Sequence, residues 1–540
     1  MRIKKVFCGS QIICFGLILG ACSHSESTLQ HPLDTLRIDV GSEAPTLDPA
    51  LSEDAAAGRI INDLFAGLVD FDQQNNPIPG MAESWNISAN GKTYTFHLRD
   101  NLKFSDGSRI TANDFIYTYR RVVDPKTASG HNYLLAGVVN GNKIIKGELP
   151  PTSLGISAPD AKTVVIQLDH PDANFLNYLT LGTVGVVSQK TISKYASAWT
   201  QAQNMVTSGA YVLSEHVVNG HILLTKNPYY FQESQVAIAK VDFFPYVDHN
   251  AGLSAYKTGG LDLVYQSVPI DQYQNLKQQY PSELHTIQQE GIYFYDLNQL
   301  LPQFKNNPEL RQALSMAIDR NALVNKVLGQ GETALYSNVT STVESGAYTS
   351  VRYSWADLPY DEQVKIAQQL YAKAGYSASH PLKIDLSYNT DDLHKKIALA
   401  IAGMWKSTLG VEVILSNQEW KTFIASRHSG NYVVARDRWV ADYNSVTSYT
   451  QLYLCNGMQN NSHYCNPAYD KLVTAAENSS DLAQQQQLYR QALALALNDY
   501  AIIPLFQPNY SKLVKPYVSN LDVEHNFFNV EQSKWVKFSD

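Results

Sequence analysis

Three residues of different chemistry stand close together in segment 432–444, YVVARDRWVADYN. Its apolar start predicts a strand, and Arg436, Trp439 and Asp442 follow near the strand end. A cation, a flat ring and an anion at one strand end suit a ligand that carries both charges, because a buried charge needs a partner. The alternative is an internal Arg436–Asp442 ion pair with Trp439 in the core, and this segment alone favours neither.

The sequence lacks the motifs of common hydrolases and metal sites. It contains no HExxH and no GxSxG. His394, Arg427 and Asp442 resemble an acid–base set, but no Ser or Cys nucleophile is indicated beside them. Cys455 and Cys465 have no CxxC partner pair, so we expect no metal and no cofactor. In an oxidising compartment, these two cysteines are expected to form a disulfide.

The first residues of the chain are typical of an export signal. Three basic residues precede an apolar run, 12–21, that is too short to cross a membrane as a mature helix. The run ends in LGAC, residues 19–22, which resembles a bacterial lipobox. The sequence therefore predicts a signal peptide over 1–21 and a lipid on Cys22. The alternative is an ordinary secretory signal with a chance cysteine.

The mature chain is predicted to be acidic and attached to the membrane only by its lipid. The polar residues 22–35 read as a tether, and no later run approaches the ~20 apolar residues of a membrane helix. Loss of the three basic signal residues lowers the net charge from −8 to −11, which argues against a nucleic-acid partner. We expect a periplasmic protein anchored to the cell envelope.

The length and the order of predicted elements indicate an α/β protein with more than one lobe. A chain of 540 residues is too long for one ordinary core. Residues 381–388 and 411–415 read as strands on either side of a helix over 394–409, which Gly410 ends. Such a strand–helix–strand order predicts parallel strands in an α/β lobe.

Several stretches together resemble a known family in the same order along the chain. They include LDPALSEDAAAGRIINDLFAGL (47–68), the segment 95–125, TSGAYVL (207–213), KNPYYF (226–231), PELRQALSMAIDRNALVNKV (308–327), the segments 388–413 and 417–430, and ARDRWVADYN (435–444). On these stretches the chain resembles the solute-binding proteins of ABC importers, family 5, and most closely the oligopeptide-binding members. The resemblance runs from about residue 36 to the C-terminus.

The resemblance implies a three-domain periplasmic-binding-protein fold, of class II type and cluster C, in which two lobes close on a buried ligand. The implied boundaries are 36–65, 189–290 and 510–540 for domain I, 66–188 for domain II and 291–509 for domain III. The implied function is that of a monomeric, non-enzymatic receptor that delivers short oligopeptides to an ABC permease and its ATPase. Two alternatives remain open: a murein-peptide receptor, and a peptide sensor without a transport role.

The resemblance also implies roles for individual residues. Asp442 would bind the ammonium of the peptide, and Arg436, Arg427 and His394 would meet its carboxylate. Trp420 and Trp439 would line side-chain pockets. Tyr265 and the strand residues Ile292, Tyr293 and Phe294 would follow the extended peptide backbone.

The chain also departs from the family at several positions. Arg438 stands where a small residue is usual, and we expect it to shift ligand preference toward acidic side chains. The disulfide positions of the relatives correspond to Gly291 and Val440 here, so the Cys455–Cys465 pair would be a local replacement.

Overall fold

The computed structural model describes residues 34–73, 75–172, 174–265, 268–479, 481–524 and 526–539. The predicted signal peptide 1–21, the lipidation site Cys22 and the tether up to residue 33 lie outside these ranges. Within the described ranges, no helix is both long enough and apolar enough to cross a membrane.

A seven-stranded sheet gathers strands from the beginning, the middle and the end of the chain. Across the sheet, its strands are Leu284–Gln288, Asn509–Val514, Leu263–Val264, Thr35–Asp39, Lys240–Phe244, His221–Lys226 and Tyr211–Val217. The first strand of the chain runs parallel to two neighbours that follow it by some two hundred residues. The sheet therefore forms only after most of the chain is available.

A six-stranded sheet contains the strand Val434–Val440 of segment 432–444. Across the sheet, its strands are Thr333–Ala334, Ile503–Gln507, Gly291–Leu297, Val434–Val440, Lys383–Asn389 and Glu412–Gln418. Lys383–Asn389 and Glu412–Gln418 are parallel, and the helix Asp392–Leu409 connects them. The strand–helix–strand prediction for 381–415 is therefore confirmed, and Gly410 ends the helix with a left-handed backbone at φ 73°.

A four-stranded antiparallel sheet forms the third layer, with the strands Ala82–Ile87, Thr93–Leu98, Thr163–Gln167 and Ile156–Asp160 in that order. The first two are joined by a hairpin at Asn90–Gly91, where Gly91 has φ 68°. Each of the three larger sheets has its own buried apolar cluster, represented by Phe243, Phe294 and Phe96 respectively.

Helices cover these sheets and end in the loops that approach one another at the centre. Among the described residues, the helices of seven residues or more are Ala55–Leu64, Ala112–Val123, Gln189–Tyr195, His249–Lys257, Tyr273–Gln279, Pro308–Met316, Tyr360–Lys373, Asp392–Leu409, Trp420–His428, Pro467–Glu477 and Leu482–Asn498. The sulfurs of Cys455 and Cys465 are bonded, with their Cα atoms 4.6 Å apart.

The chain crosses between these two sheets twice, from the seven-stranded to the six-stranded sheet at 289–290 and back at 508. The two crossings lie side by side, because Gln289 N–H donates to the Pro508 carbonyl at 2.9 Å. The Gln507 side chain also donates to the Gln289 carbonyl at 2.9 Å. Two adjacent extended crossings can act as a hinge between the bodies that they join.

Candidate functional site

A cavity of about 1280 Å³ lies where elements from all three larger sheets meet. A cavity of this size has room for a ligand larger than a typical small metabolite. Its wall includes residues 40–43 after the first strand, 180–183 near the four-stranded sheet, and 436 and 438–444 in the six-stranded sheet. The segment 432–444 therefore contributes to this wall, as the sequence analysis predicted for a ligand site.

The strand Val434–Val440 is held in register by the fully buried strand Gly291–Leu297. Side chains alternate between the two faces of a strand. Arg436 and Arg438 accordingly line the cavity, whereas Asp437 does not. The strand therefore directs the two cations, Arg436 and Arg438, toward the cavity and the anion, Asp437, away from it.

Asp442 lies just beyond this strand, in a turn fixed by a hydrogen bond from its backbone N–H to Ser448 Oγ at 3.0 Å. The Tyr133 hydroxyl donates to the Asp442 carboxylate. Burial raises the pKa of Asp442, and His131 and the Tyr133 hydrogen bond oppose that rise. Asp442 thus faces the cavity as a desolvated carboxylate, with no ion-pair partner among the described residues.

Arg436 does not pair with Asp442. Its Nη2 donates to the side-chain oxygen of Asn389, and its guanidinium lies 5.3 Å from the ring centroids of Trp420 and Phe423. Burial lowers the pKa of Arg436, and Arg427 acts in the same direction. Of the two interpretations of the segment, the internal Arg436–Asp442 ion pair is therefore wrong, and the charges remain available to a ligand.

His394 lies in the first turn of the helix Asp392–Leu409, beyond the N-cap residue Asp391. Its Nδ1 is 3.1 Å from the Tyr293 hydroxyl, and its ring lines the cavity. Burial, together with Arg436, lowers the pKa of His394 to about 3. The imidazole is therefore neutral near pH 7, so it can offer a ligand a hydrogen bond but no charge.

Aromatic side chains line the cavity between these polar groups. Trp420, Trp439, Tyr265 and Tyr293 all contribute to its wall. The indole N–H groups of both tryptophans lack a hydrogen-bond partner among the described residues. The Tyr265 hydroxyl donates to the Asn529 carbonyl at 2.5 Å, which fixes its ring. Aromatic rings beside N–H groups that can still donate suit a ligand that carries both apolar and polar groups.

Three of the predicted site residues do not line the cavity. Ile292 and Phe294 are buried in the central strand and alternate with Tyr293, so they lie on its other face. Arg427 is 8% exposed and forms an ion pair with Asp437, which lies on the face of its strand away from the cavity. The structure therefore places the Arg427 charge inside the protein.

The structure also assigns site positions that the sequence analysis did not identify. His131, Gln289, Asn389 and Glu332 line the cavity, and Tyr133 contacts Asp442. Tyr133 and Asp442 are 309 positions apart, and no local pattern connects them. The paired residues of Arg436 and Arg438 are neutral amides, which carry little sequence signal.

Comparison with known proteins gives a consistent result. The family described as bacterial extracellular solute-binding proteins, family 5 Middle, matches residues 76–461. The periplasmic oligopeptide-binding protein OppA of Salmonella typhimurium is 39% identical over 486 residues, which are 90% of this chain and 89% of that protein.

Solved structures show the same similarity. Haemophilus influenzae OppA in complex with RPPGFSPFR has a TM-score of 0.91 at 33% identity, covering 94% of this chain and 99% of that chain. The Escherichia coli murein tripeptide binding protein MppA has a TM-score of 0.90 at 35% identity, covering 94% and 98%. The unliganded open form of MppA has a TM-score of only 0.65 at 34% identity, again covering 94% of this chain and 98% of that chain. The arrangement of this chain therefore differs from that open form.

Proposed function

Because this chain belongs to the family 5 bacterial extracellular solute-binding proteins, we propose that it binds short oligopeptides and delivers them to an ABC permease and its ATPase. It is a solute-binding protein of an ABC importer and not an enzyme. OppA from Salmonella typhimurium is a periplasmic oligopeptide-binding protein, and the Haemophilus influenzae OppA structure is a complex with RPPGFSPFR.

The observation that carries the proposal is the separation of charge within one cavity. Asp442 presents a carboxylate without an ion-pair partner among the described residues, and Arg436 presents a guanidinium that donates to the neutral amide of Asn389. A free peptide carries an ammonium at one end and a carboxylate at the other. It satisfies both groups at once, and each charge-assisted hydrogen bond is strong in a desolvated site.

The individual roles follow from this geometry. Asp442 binds the ammonium, and Arg436 binds the terminal carboxylate, with neutral His394 as an additional hydrogen-bond donor or acceptor. Trp420 and Trp439 form the walls of side-chain pockets. Tyr265 and Tyr293 lie beside the extended peptide backbone.

The proposed domains correspond to the three larger sheets. Domain I comprises 36–65, 189–290 and 510–540, domain II comprises 66–188, and domain III comprises 291–509. The two crossings at 289–290 and 508 form the hinge, and closure around the peptide buries it. The TM-score is 0.65 with the unliganded open form of MppA and 0.90 with the other MppA structure, which supports a closed arrangement of the proposed domains in this chain.

The proposed location is the periplasmic side of a membrane. Residues 1–21 are removed as a signal peptide, Cys22 carries the lipid, and the receptor works as a monomer. Cys455 and Cys465 remain oxidised in that compartment. The N-terminal part of this proposal rests on sequence alone.

Native mass spectrometry of the fragment that starts after Cys22 tests the function. Ligand that co-purifies is released by denaturation and sequenced. A mixture of short peptides with free amino termini is the expected result. A single species that contains D-amino acids would instead identify a murein-peptide receptor. A protein that purifies empty and binds no peptide from a random tripeptide library would overturn the proposal.

A further inference from the structure

Two arginines, Arg436 and Arg438, project from consecutive same-face positions of one strand into the cavity. Such positions are about 6.5–7 Å apart along a strand. Arg436 donates to the side-chain oxygen of Asn389, and Arg438 donates to that of Gln289. The Nε atoms of both arginines lack a hydrogen-bond partner among the described residues. Two like charges thus stand side by side with neutral partners.

The acidic residues Asp391 and Glu332, which lie on the cavity wall with the two arginines, form hydrogen bonds to other groups. Asp391 accepts from the His394 backbone N–H at 3.0 Å and lies 2.9 Å from His249 Nε2. Glu332 accepts from the Gln330 backbone N–H at 2.9 Å. No ion pair to either arginine occurs among the described residues. Neither acid therefore neutralises the arginine pair by direct contact.

Asp54 and Glu419 on the cavity wall cap helices and accept from backbone N–H groups there. Three further acids of the wall are each paired with a cation or a histidine away from the two arginines. These pairs are Glu43 with His216 at 2.8 Å, Glu53 with His428 at 3.2 Å, and Asp271 with Lys396 at 2.6 Å. The positive charge at the arginine pair is therefore local, although the chain as a whole is acidic.

Arg427 provides an internal contrast. It is the third arginine of this region, but Asp437 pairs with it directly and Asp296 adds to the attraction. Its charge is thereby compensated before a ligand arrives. Arg438 differs from Arg427, because its cavity-facing guanidinium donates to the Gln289 amide and has no ion-pair partner among the described residues. The cation available to a second ligand carboxylate is thus Arg438 and not Arg427.

We infer that the cavity selects peptides with two carboxylates near their C-terminal end, one bound by Arg436 and the other by Arg438. The first is the terminal carboxylate, and the second is an acidic side chain of the last or the preceding residue. This inference rests on the proposed peptide-binding function and extends it to a substrate class. An arginine that loses water on ligand binding gains most from a carboxylate, which accepts two parallel hydrogen bonds.

Gln289 has a positioning role in this arrangement. Its side chain accepts from Arg438, and its backbone belongs to the first crossing between the two sheets. Arg438 is thereby held at the end of the cavity beside the hinge. A carboxylate bound there contacts the strand Val434–Val440 at the point where the two bodies meet.

The test compares two pairs of tripeptides on wild-type protein and on Arg438→Gln. Each pair differs only in one group: Ala-Ala-Glu against Ala-Ala-Gln, and Ala-Glu-Ala against Ala-Gln-Ala. Isothermal titration gives the ratio of Kd values within each pair. We expect the wild type to favour the glutamate peptide of at least one pair by about 10- to 100-fold, as one added charge-assisted contact in a desolvated site supplies. In Arg438→Gln this preference falls to about threefold or less.

Two further variants distinguish an effect of the Arg438 charge from a general effect of replacing an arginine. Arg438→Lys retains the charge and is expected to keep part of the preference for glutamate, which a purely structural role would not produce. Arg352→Gln removes an arginine that pairs with Asp357 at the surface, and is expected to leave every ratio unchanged. Thermal unfolding of each variant identifies any loss of the folded state.

The possible outcomes distinguish a failure of the dicarboxylate preference from a failure of the proposed peptide binding. A wild type that binds the four peptides without distinguishing Glu from Gln overturns the dicarboxylate inference and leaves peptide binding intact. A glutamate preference that persists in Arg438→Gln overturns the assignment to Arg438. A wild type that binds none of the four peptides, nor any tripeptide of a random library, overturns the proposed function, and the inference falls with it.

Discussion

At the scale of single residues, Asp442 is the group on which peptide binding depends most directly. Its carboxylate is desolvated and accepts a hydrogen bond from the Tyr133 hydroxyl, and it has no ion-pair partner among the described residues. Replacing Asp442 with Ala removes the counter-charge of the peptide ammonium. Leaving one member of a buried charge pair uncompensated costs about 2–5 kcal/mol, so affinity should fall by at least about 30-fold.

Titration of Asp442→Ala with a free tripeptide and with its N-acetylated form checks this prediction. The acetylated form lacks the ammonium, so its already weak binding should change little. Asp357→Ala, at an exposed position, serves as the matched control. Equal affinity of Asp442→Ala and wild type for the free peptide would refute the ammonium-binding role.

Peptide affinity should also decrease as the pH falls, because ammonium binding needs the ionised form of Asp442. Burial raises the pKa of this carboxyl, so in the free protein protonation begins above the usual aspartate range near about 4. The peptide must then displace a proton, and it binds more weakly at lower pH.

Titrations at several pH values between about 4 and 8 measure this dependence. His394 has a pKa of about 3 and stays neutral in that range, so it does not obscure the effect. Asp442→Asn should bind weakly with a much flatter pH profile, because it has no carboxyl to protonate. A wild-type affinity that is constant across the range would contradict the ionised-carboxylate interaction.

At the scale of secondary-structure elements, the Arg427–Asp437 ion pair joins the helix Trp420–His428 to the strand Val434–Val440. Both side chains are buried, so removing the Asp437 charge breaks the direct ion pair and leaves Arg427 with the attraction of Asp296. We predict that Asp437→Asn lowers the free energy of unfolding by up to about 3–5 kcal/mol, and that Arg427→Met with Asp437→Asn recovers part of that loss. Chemical denaturation measures both values.

A surface pair provides the comparison for this prediction. Arg352 and Asp357 form an ion pair at exposed positions, and their double replacement should change stability by about 0–1 kcal/mol. If Asp437→Asn were as mild as the surface variant, the pair would not be a structural element. The Arg427 charge would then be available to a ligand, as the sequence resemblance implies.

The same elements show what local sequence patterns can and cannot predict. The hairpin at Asn90–Gly91 and the strand–helix–strand of 381–415 follow from turn residues and apolar periodicity, and both are present. Period-two alternation along 434–440 also places Arg436 and Arg438 on one face and Asp437 on the other. Applied to this strand, it places Asp437 on the face away from Arg436 and Arg438, whereas its pairing with Arg427 required the structure.

Contacts between distant segments have no such signal. Tyr133 reaches Asp442 only because the loop after Ala112–Val123 and the six-stranded sheet meet at the cavity. Hydrogen-bonding side chains at solvent-facing and cavity-facing positions look the same in sequence. The pattern of the strand end thus singles out Arg436, Arg438 and Asp442 as site candidates, whereas the polar contacts around them required the structure.

At the scale of the whole molecule, closure of the cavity depends on contacts made across it. His249 and Asp391, both on the cavity wall, pair at 2.9 Å, and Glu53 of the wall pairs at 3.2 Å with His428 of the helix Trp420–His428. Partly exposed pairs of this kind contribute about 0–1 kcal/mol each, which is small beside the free energy of ordering two bodies. A peptide that contacts both walls supplies the additional stabilisation, so the ligand sets the closed population.

We therefore predict that the peptide-free protein is mainly open in solution and becomes more compact when peptide is added. Small-angle scattering of the fragment after Cys22 should show a smaller radius of gyration with saturating peptide. Asp442→Ala at the same peptide concentration should remain expanded, since it binds too weakly to close. A peptide-free wild type that is already as compact as the complex would mean that the wall-to-wall contacts suffice for closure, and that peptide enters by transient opening of a closed receptor.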